Sequence, residues 1–231
     1  MIRSLSCLSL VALSLAGAAR AETRTFDVGA FTKIDVSGGL DLSFEGGTAQ
    51  SVAVENSAGD FSDIEVLVRG DTLVLKRKAN NWSWGSRRAR YEITVTAALI
   101  SGLEASSGAD VTGRKMSGDA IDIDVSSGAD VTVTEIDGGT VSVETSSGSD
   151  ATVSGTCDTV RADSSSGSDI TARDLICQKG IVDASSGSDI TMHAAISVNA
   201  DASSGADVTV YGGPSDVTSD KSSGGSVTVR N

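Results

Sequence analysis

A single proline, a single histidine, three cysteines and only 3% aromatic residues are what this 231-residue chain has least of. With so few rings, a broad aromatic-filled core is excluded. An apolar set dominated by Val, Ile and Ala, with 26 Gly, suits a narrow core held between sheets instead. The lone histidine, His193, has no Cys or second His at ligand spacing, so it reads as a surface or turn residue and not as a metal ligand or catalytic base. Basic residues are also short, 18 against 31 acidic ones, for a formal charge of -13. Nucleic acid and bare anionic lipid would be repelled by such a chain, whereas cations, basic surfaces and neutral sugars would not. Beyond residue 21 no run is apolar enough to cross a bilayer as a helix.

The first residues carry Arg3, an apolar run from Leu5 to Leu15, and small residues ending in Ala19-Arg20-Ala21. That pattern predicts a secretory signal over 1–21, cleaved after Ala21, and an exported protein, periplasmic or extracellular. Cys7 lacks a lipobox setting, so no lipid anchor is expected there.

What the chain has in abundance is a repeat. Gly108, Gly128, Gly148, Gly167, Gly187, Gly205 and Gly224 each follow two serines, at spacings of 20, 20, 19, 20, 18 and 19 residues. Two residues later stands Asp110, Asp130, Asp150, Asp169, Asp189 or Asp207, with Ser226 in the last copy. Four residues before each glycine stands an acid: Glu104, Asp124, Glu144, Asp163, Asp183, Asp201 and Asp220. Alternating segments flank the motif, as in Val131-Thr132-Val133 and Ile121-Asp122-Ile123, with aliphatics on one face and polar residues on the other. Short strands with a glycine at the bend describe one rung of an all-β solenoid of about 20 residues per rung, which folds only as a stack. Cys157 and Cys177 each lie ten residues before a motif glycine, which places them on adjacent rungs about 4.8 Å apart. A disulfide in an exported protein and a pair of small buried residues sharing one repeat position both fit that placement.

Upstream, Asp35-Val36-Ser37-Gly38-Gly39-Leu40-Asp41 keeps the spacing of the motif in a diverged form. Alternating runs at Val52-Ala53-Val54, Ile64 to Val68 and Leu73 to Leu75, with Gly70-Asp71 between the last two, predict a hairpin and antiparallel structure that caps the stack. The expected organisation is therefore a signal at 1–21, an N-terminal β region over 22–100 and regular β-solenoid repeats over 101–231.

These residues together resemble a bacterial domain family of unknown function labelled "putative auto-transporter adhesin, head GIN domain". The resemblance runs through Phe31-Thr32-Lys33-Ile34-Asp35-Val36-Ser37-Gly38, the strand ending Leu73-Val74-Leu75, the excursion Asn81-Trp82-Ser83-Trp84-Gly85, Tyr91-Glu92-Ile93-Thr94-Val95, and the Ser-Gly repeats. The family's usual proline before the first repeat is replaced by Ala97-Ala98. The resemblance implies a right-handed parallel β-helix with an N-terminal β region. It says little of activity, because a fold does not name one.

Two features invite a functional reading. The aspartates Asp110, Asp130, Asp150, Asp169, Asp189 and Asp207 would form a ladder whose close like charges need relief. Hydration with Ser and Thr hydroxyls is one means, and bridging Ca²⁺ is the other, although the doubled Gly-Gly-x-Gly-x-Asp pattern of calcium rolls is missing. A row of outward Thr beside this ladder suits strand surface better than an ice-binding array, since the neighbouring position is a charged Asp. The second feature is the segment from Asn80 to Arg90, which holds Trp82, Trp84, Arg87 and Arg88 on an otherwise acidic chain. Paired Trp with Arg suits sugar stacking or a protein hot spot, and equally a hairpin tip packed back on the sheet.

Catalysis is disfavoured, because a repeated carboxylate or serine is not the differently tuned pair that acid–base or nucleophilic chemistry needs. The reading that follows is a non-catalytic, exported solenoid without a required cofactor, acting in adhesion or envelope interaction through a protein or glycan, with self-association open. A polysaccharide-acting β-helix enzyme and a calcium-binding solenoid are the alternatives.

Overall fold

A computed structural model describes residues 21–57, 59–78 and 90–231. The leader through Arg20, and Trp82, Trp84, Arg87 and Arg88, lie outside the described residues. Among the described residues, seventeen strands join in one continuous sheet that winds into a β-solenoid of about six turns.

Period-2 alternation fixes each wall. In β11 (Asp130–Ser146), Val131, Val133, Ile136, Val141 and Val143 are buried while Asp130, Thr132 and Glu144 face solvent. The next three long strands, β12 (Asp150–Ser164), β13 (Asp169–Ala184) and β14 (Asp189–Ala202), each cover most of a turn and stack in parallel with motif on motif, as Asp130 on Asp150, Asp150 on Asp169 and Asp169 on Asp189. The stack continues through β15 (Asp207–Tyr211), β16 (Asp216–Lys221) and β17 (Ser226–Val229).

Each corner uses two left-handed residues, so the bend expected at the glycine alone is shared with the serine before it. Ser127 has φ 55° and Gly128 φ 70°, and the other six motif serines lie between 49° and 60°. A side chain in this region costs roughly 1–2 kcal/mol. The stack offsets that cost with a hydrogen-bond row along the corner. The Gly108 N–H donates to the Ser127 carbonyl at 3.2 Å, Gly148 to Ser166 at 3.2 Å, Gly167 to Ser186 at 3.2 Å and Gly187 to Ser204 at 3.1 Å.

At the other end the chain order is not the spatial order. β2 (Lys33–Ser37) and β3 (Asp41–Gly46) form a rung around Gly38-Gly39 that stacks on β8 (Gly102–Ser106) and β9 (Asp110–Arg114), with Asp35 opposite Glu104 and Asp41 opposite Asp110. On its far side sit β6 (Thr72–Arg77) and β7 (Tyr91–Ala97), still parallel. Beyond these, β5 (Ile64–Arg69), β4 (Ser51–Asn56) and β1 (Glu22–Thr25) run antiparallel and close the stack as a curled half-barrel. The expected hairpin is β5–β6 about Gly70-Asp71. At the far end, register places Ser219 and Lys221 of β16 opposite the buried Ala200 and Ala202. A further rung in that register would bury the Lys221 ammonium, which now donates to the Val227 carbonyl at 3.3 Å.

One buried cluster runs from Phe31 to Val210 through the whole molecule. Within it Cys157 and Cys177 lie directly opposite on β12 and β13 and are disulfide-bonded, with Cα atoms 4.6 Å apart. The bridge is the outcome the repeat register allowed.

Candidate functional site

The predicted aspartate ladder exists as a single file. Asp110, Asp130, Asp150, Asp169, Asp189 and Asp207 are paired residue on residue across successive rungs, and the file extends through Asp41 to Glu92. All are exposed except half-buried Asp41. Burial of part of each carboxylate, and then the charges above and below, hold Asp130 and Asp189 above the ordinary aspartate range. Relief comes in part from the backbone, since the Asp189 N–H donates to Asp169 Oδ1 at 3.0 Å. At the N-terminal end Arg90 Nε meets Asp41 Oδ2 at 2.7 Å and Glu92 Oε1 at 3.9 Å. The outward threonines stand beside this file in the same register, as Thr112, Thr132, Thr152 and Thr171. Among the described residues no three His, Cys, Asp or Glu side chains converge as metal ligands do. A file of carboxylates presents one row of oxygens, whereas Ca²⁺ takes 6–8 ligands around a centre.

The second acid row, Asp35, Glu104, Asp124, Glu144 and Asp163 in successive rungs, lies across the serine corner on another wall. Asp35, Glu104 and Asp163 are likewise raised, first by burial and then, for Glu104 and Asp163, by their neighbours in the row; Lys76 and Arg69 oppose the rise at Asp35.

The segment with Trp82, Trp84, Arg87 and Arg88 is outside the described residues, but its two stems are inside. It leaves β6 after Arg77 and re-enters β7 at Tyr91. Those stems are tied together. The Arg77 guanidinium lies 4.9 Å from the Tyr91 ring centroid, and Arg77 Nη1 meets Asp63 Oδ2 at 3.1 Å. The Tyr91 hydroxyl donates to Asp63 and lies 2.8 Å from the Asp60 carbonyl. Burial, with Asp63 beside it, pushes the Tyr91 hydroxyl far above its ordinary pKa, so it stays a neutral donor.

His193 sits between Ile176 and Tyr211 in the sheet, half-buried, with Nδ1 buried and without a hydrogen-bond partner. Arg173 reaches two rungs to lie 4.2 Å from the Tyr211 ring centroid, and Arg230 lies 6.0 Å from the same ring. This is a clasp across the last rungs.

Sequence reasoning missed a groove on the same wall as the second acid row, two residues before it along each strand. Thr159, Arg161, Lys179, Ile181, Ser197, Asn199, Asp216 and Thr218 line it. Arg161 and Lys179 are cations at outward positions of an acidic repeat. Each stands out alone as a departure from the repeat, but the two become neighbours only on stacking.

The family model described as "Putative auto-transporter adhesin, head GIN domain" matches residues 30–214. Among experimental structures, a putative adhesin from Bacteroides fragilis is similar at 21% identity, covering 91% of this chain and 97% of that one with a TM-score of 0.82. A putative lipid binding protein from Parabacteroides distasonis is similar at 17% identity, with 93% and 98% coverage and a TM-score of 0.69. A putative adhesin from Parabacteroides merdae gives 12%, the same coverages and 0.69. At these identities the likeness is one of fold. No curated protein matches.

Proposed function

The chain belongs to the family described as putative auto-transporter adhesin, head GIN domain, and on that premise we propose that it is an exported, non-catalytic module that makes adhesive or cell-envelope contacts. The contact surface is the segment bearing Trp82, Trp84, Arg87 and Arg88. The observation that supports this reading is the contact between the residues that flank that segment, Arg77 and Tyr91, which meet each other and Asp63. Holding the stems lowers the ordering cost of binding, and Trp with Arg supplies what interface anchors need. Export rests on the signal-like leader and suits the Cys157–Cys177 bridge. The repeated rows, by contrast, offer many copies of one environment, which suits a scaffold better than a catalytic centre.

The test compares the chain with its Trp82→Ala/Trp84→Ala variant for binding to envelope fractions, alongside melting curves. We expect binding to fall at least about tenfold, the loss of one hot-spot anchor, with the melting temperature little changed. Retained binding with a large melting loss would return both tryptophans to a structural role.

A further inference from the structure

Among the described residues, the basic side chains of this acidic chain are almost all engaged. Lys33 meets Asp71, Arg69 and Lys76 meet Glu65, Arg77 meets Asp63, Arg90 meets Asp41, Arg114 meets Glu135 and Lys115 meets Glu45. Arg24 lies over Phe26, Arg173 and Arg230 over Tyr211, and Lys78 and Lys221 donate to the carbonyls of Ser62 and Val227. Two remain. Among the described residues, only Arg161 and Lys179 have neither an ion pair, a hydrogen bond nor a ring partner.

Those two fall in the same groove. Thr159 is opposite Lys179 and Arg161 opposite Ile181, so the cations are diagonal neighbours on adjacent rungs. A strand spacing of about 4.8 Å and a two-residue rise of about 6.6 Å put their Cα atoms roughly 8 Å apart. Both are exposed, and Ile181, two residues beyond Lys179 on the same strand and opposite Arg161, is 38% exposed. Further along the stack the same two outward rows continue as Ser197 and Asn199, then Asp216 and Thr218. The groove thus runs across four rungs from a cationic end, through hydroxyl and amide groups, to a carboxylate.

We propose that this groove binds an acidic oligosaccharide, with Arg161 and Lys179 holding one sugar carboxylate or sulfate and Ser197, Asn199 and Thr218 hydrogen-bonding the neutral sugar units that follow. The proposal deepens the adhesive reading above and rests on it, while moving the glycan contact to a second surface. The guanidinium fork matches a planar carboxylate, and the ammonium adds a point charge. Polyol hydroxyls pair with Ser, Thr and Asn, and the Ile181 side chain meets the apolar face of a ring. Charge also limits the ligand. Asp163, Asp183 and Asp201 flank the groove two residues further along the same strands, and Asp216 closes its end. A broad anionic surface such as a membrane would meet those carboxylates, and a sugar charged on every unit would meet Asp216. A single chain in which one charged unit is followed by neutral ones meets neither.

Calorimetric titration of the full chain tests this with five probes: an oligosaccharide with one terminal uronate followed by neutral sugars, one with uronate on every unit, a neutral oligosaccharide, inorganic sulfate, and phosphatidylglycerol-containing vesicles. We expect the singly charged oligosaccharide to bind tightest, and to weaken when salt is raised from about 50 to about 200 mM. The Arg161→Ala/Lys179→Ala variant should lose at least about tenfold in affinity, the worth of one charge-assisted hydrogen bond, with an unchanged melting temperature. Equal binding by the variant, or binding to vesicles with silence from every saccharide, overturns the proposal. So does silence from all five probes. Binding of the wild-type chain to envelope fractions is measured in parallel. If it persists while the saccharides are silent, the groove assignment fails and the adhesive reading stands; if it is absent as well, both fail.

Discussion

Between Asp130 and Tyr211 the core is laid down in rows of Val, Ile, Ala and Met, and polar needs inside it are met by hydroxyls. Thr145 Oγ1 donates to Ser164 Oγ at 2.8 Å, and the buried Ser149 and Ser188 hydroxyls donate to the carbonyls of Val125 and Ser164 at 2.7 and 2.8 Å. Between Phe31 and Ala97 the core instead takes Phe31, Phe44, Tyr91 and seven leucine and isoleucine side chains, and its polar needs are met by the Asp63–Arg77–Tyr91 cluster. The difference follows from what each region must do. A solenoid rung sees an identical rung above and below, so any residue that fits once fits repeatedly, and small or β-branched side chains fill the thin space. The N-terminal end has to stop the stack, so it turns strands antiparallel and fills an irregular volume with larger groups. Where the two meet, they share one site. Register sets Phe44 of β3 against Gly113 of β9, and a Cβ on Gly113 would fall 2.1 Å from the Phe44 ring. Other rungs carry Val133, Val153 or Met192 at that inward position.

The largest expected effect breaks that junction. Phe44→Ala should cost about 3–5 kcal/mol, a buried ring replaced by a cavity, and Gly113→Val about 1–3 kcal/mol through overpacking. Combined, they should cost clearly less than the sum, because the valine enters the space the ring leaves. Urea denaturation of the four proteins measures the coupling. Additive losses would mean that the two regions do not share a core at this point.

Much of this was legible. The Ser-Ser-Gly spacing gave the rung length, the walls, the residue-on-residue register and the cysteine pairing, because a repeat states the same constraint seven times. Three things were not. The second left-handed residue at the corner is a serine, and nothing in a serine announces positive φ. The spatial inversion of β2–β3, which lies between rungs formed later in the chain, depends on long-range pairing that alternation within a segment does not encode. The Arg161–Lys179 groove arises because two non-repeating residues on different rungs become neighbours only after stacking. The Trp and Arg positions of the candidate contact segment were readable as a break in composition, and their stems became interpretable only once Arg77 and Tyr91 were seen together.

The disulfide gives a smaller and more local effect, confined to the solenoid. It closes a loop of 20 residues between β12 and β13, and in the chain-entropy account such a loop contributes about 3 kcal/mol. Replacing Cys157 and Cys177 by Ala, or adding reductant, should lower the denaturation midpoint accordingly. Hydrogen exchange should show the loss in the rungs around Val160 and Val182 while amides of β6 and β7 are unaffected below the global transition. Equal loosening of both regions would show that they unfold as one unit and that the compositional contrast has no energetic counterpart.

The smallest effect, and the one that separates the regions by sign, is that of acid. Asp130, Asp163, Asp189 and Glu104 are held above their ordinary range by burial and by like charges in the ladders, and Asp35 by burial. In the unfolded chain such groups titrate near about 3.9 for Asp and about 4.3 for Glu. Between those values and the raised ones the folded state binds more protons, so the contribution of these groups to stability grows as pH falls through the window and is complete below the ordinary values. Asp60 acts oppositely, being lowered by hydrogen bonding from Ser62, and its contribution fades with acid. Acid should therefore relax the ladders while removing the contribution of Asp60 at the cap. Removing one ladder charge isolates the first half of that statement: Asp130→Asn relieves the repulsion from Asp110 and Asp150 and should raise stability at neutral pH by about 0.2–1 kcal/mol, the scale of like charges directly opposed on neighbouring strands. The gain should shrink as the pH is lowered, because the wild-type carboxyl then takes up its proton and loses the repulsion by itself. A neutral-pH loss, or a gain that does not depend on pH, would mean that the Asp130 carboxylate is held by favourable bonds and that the ladder is not under electrostatic strain.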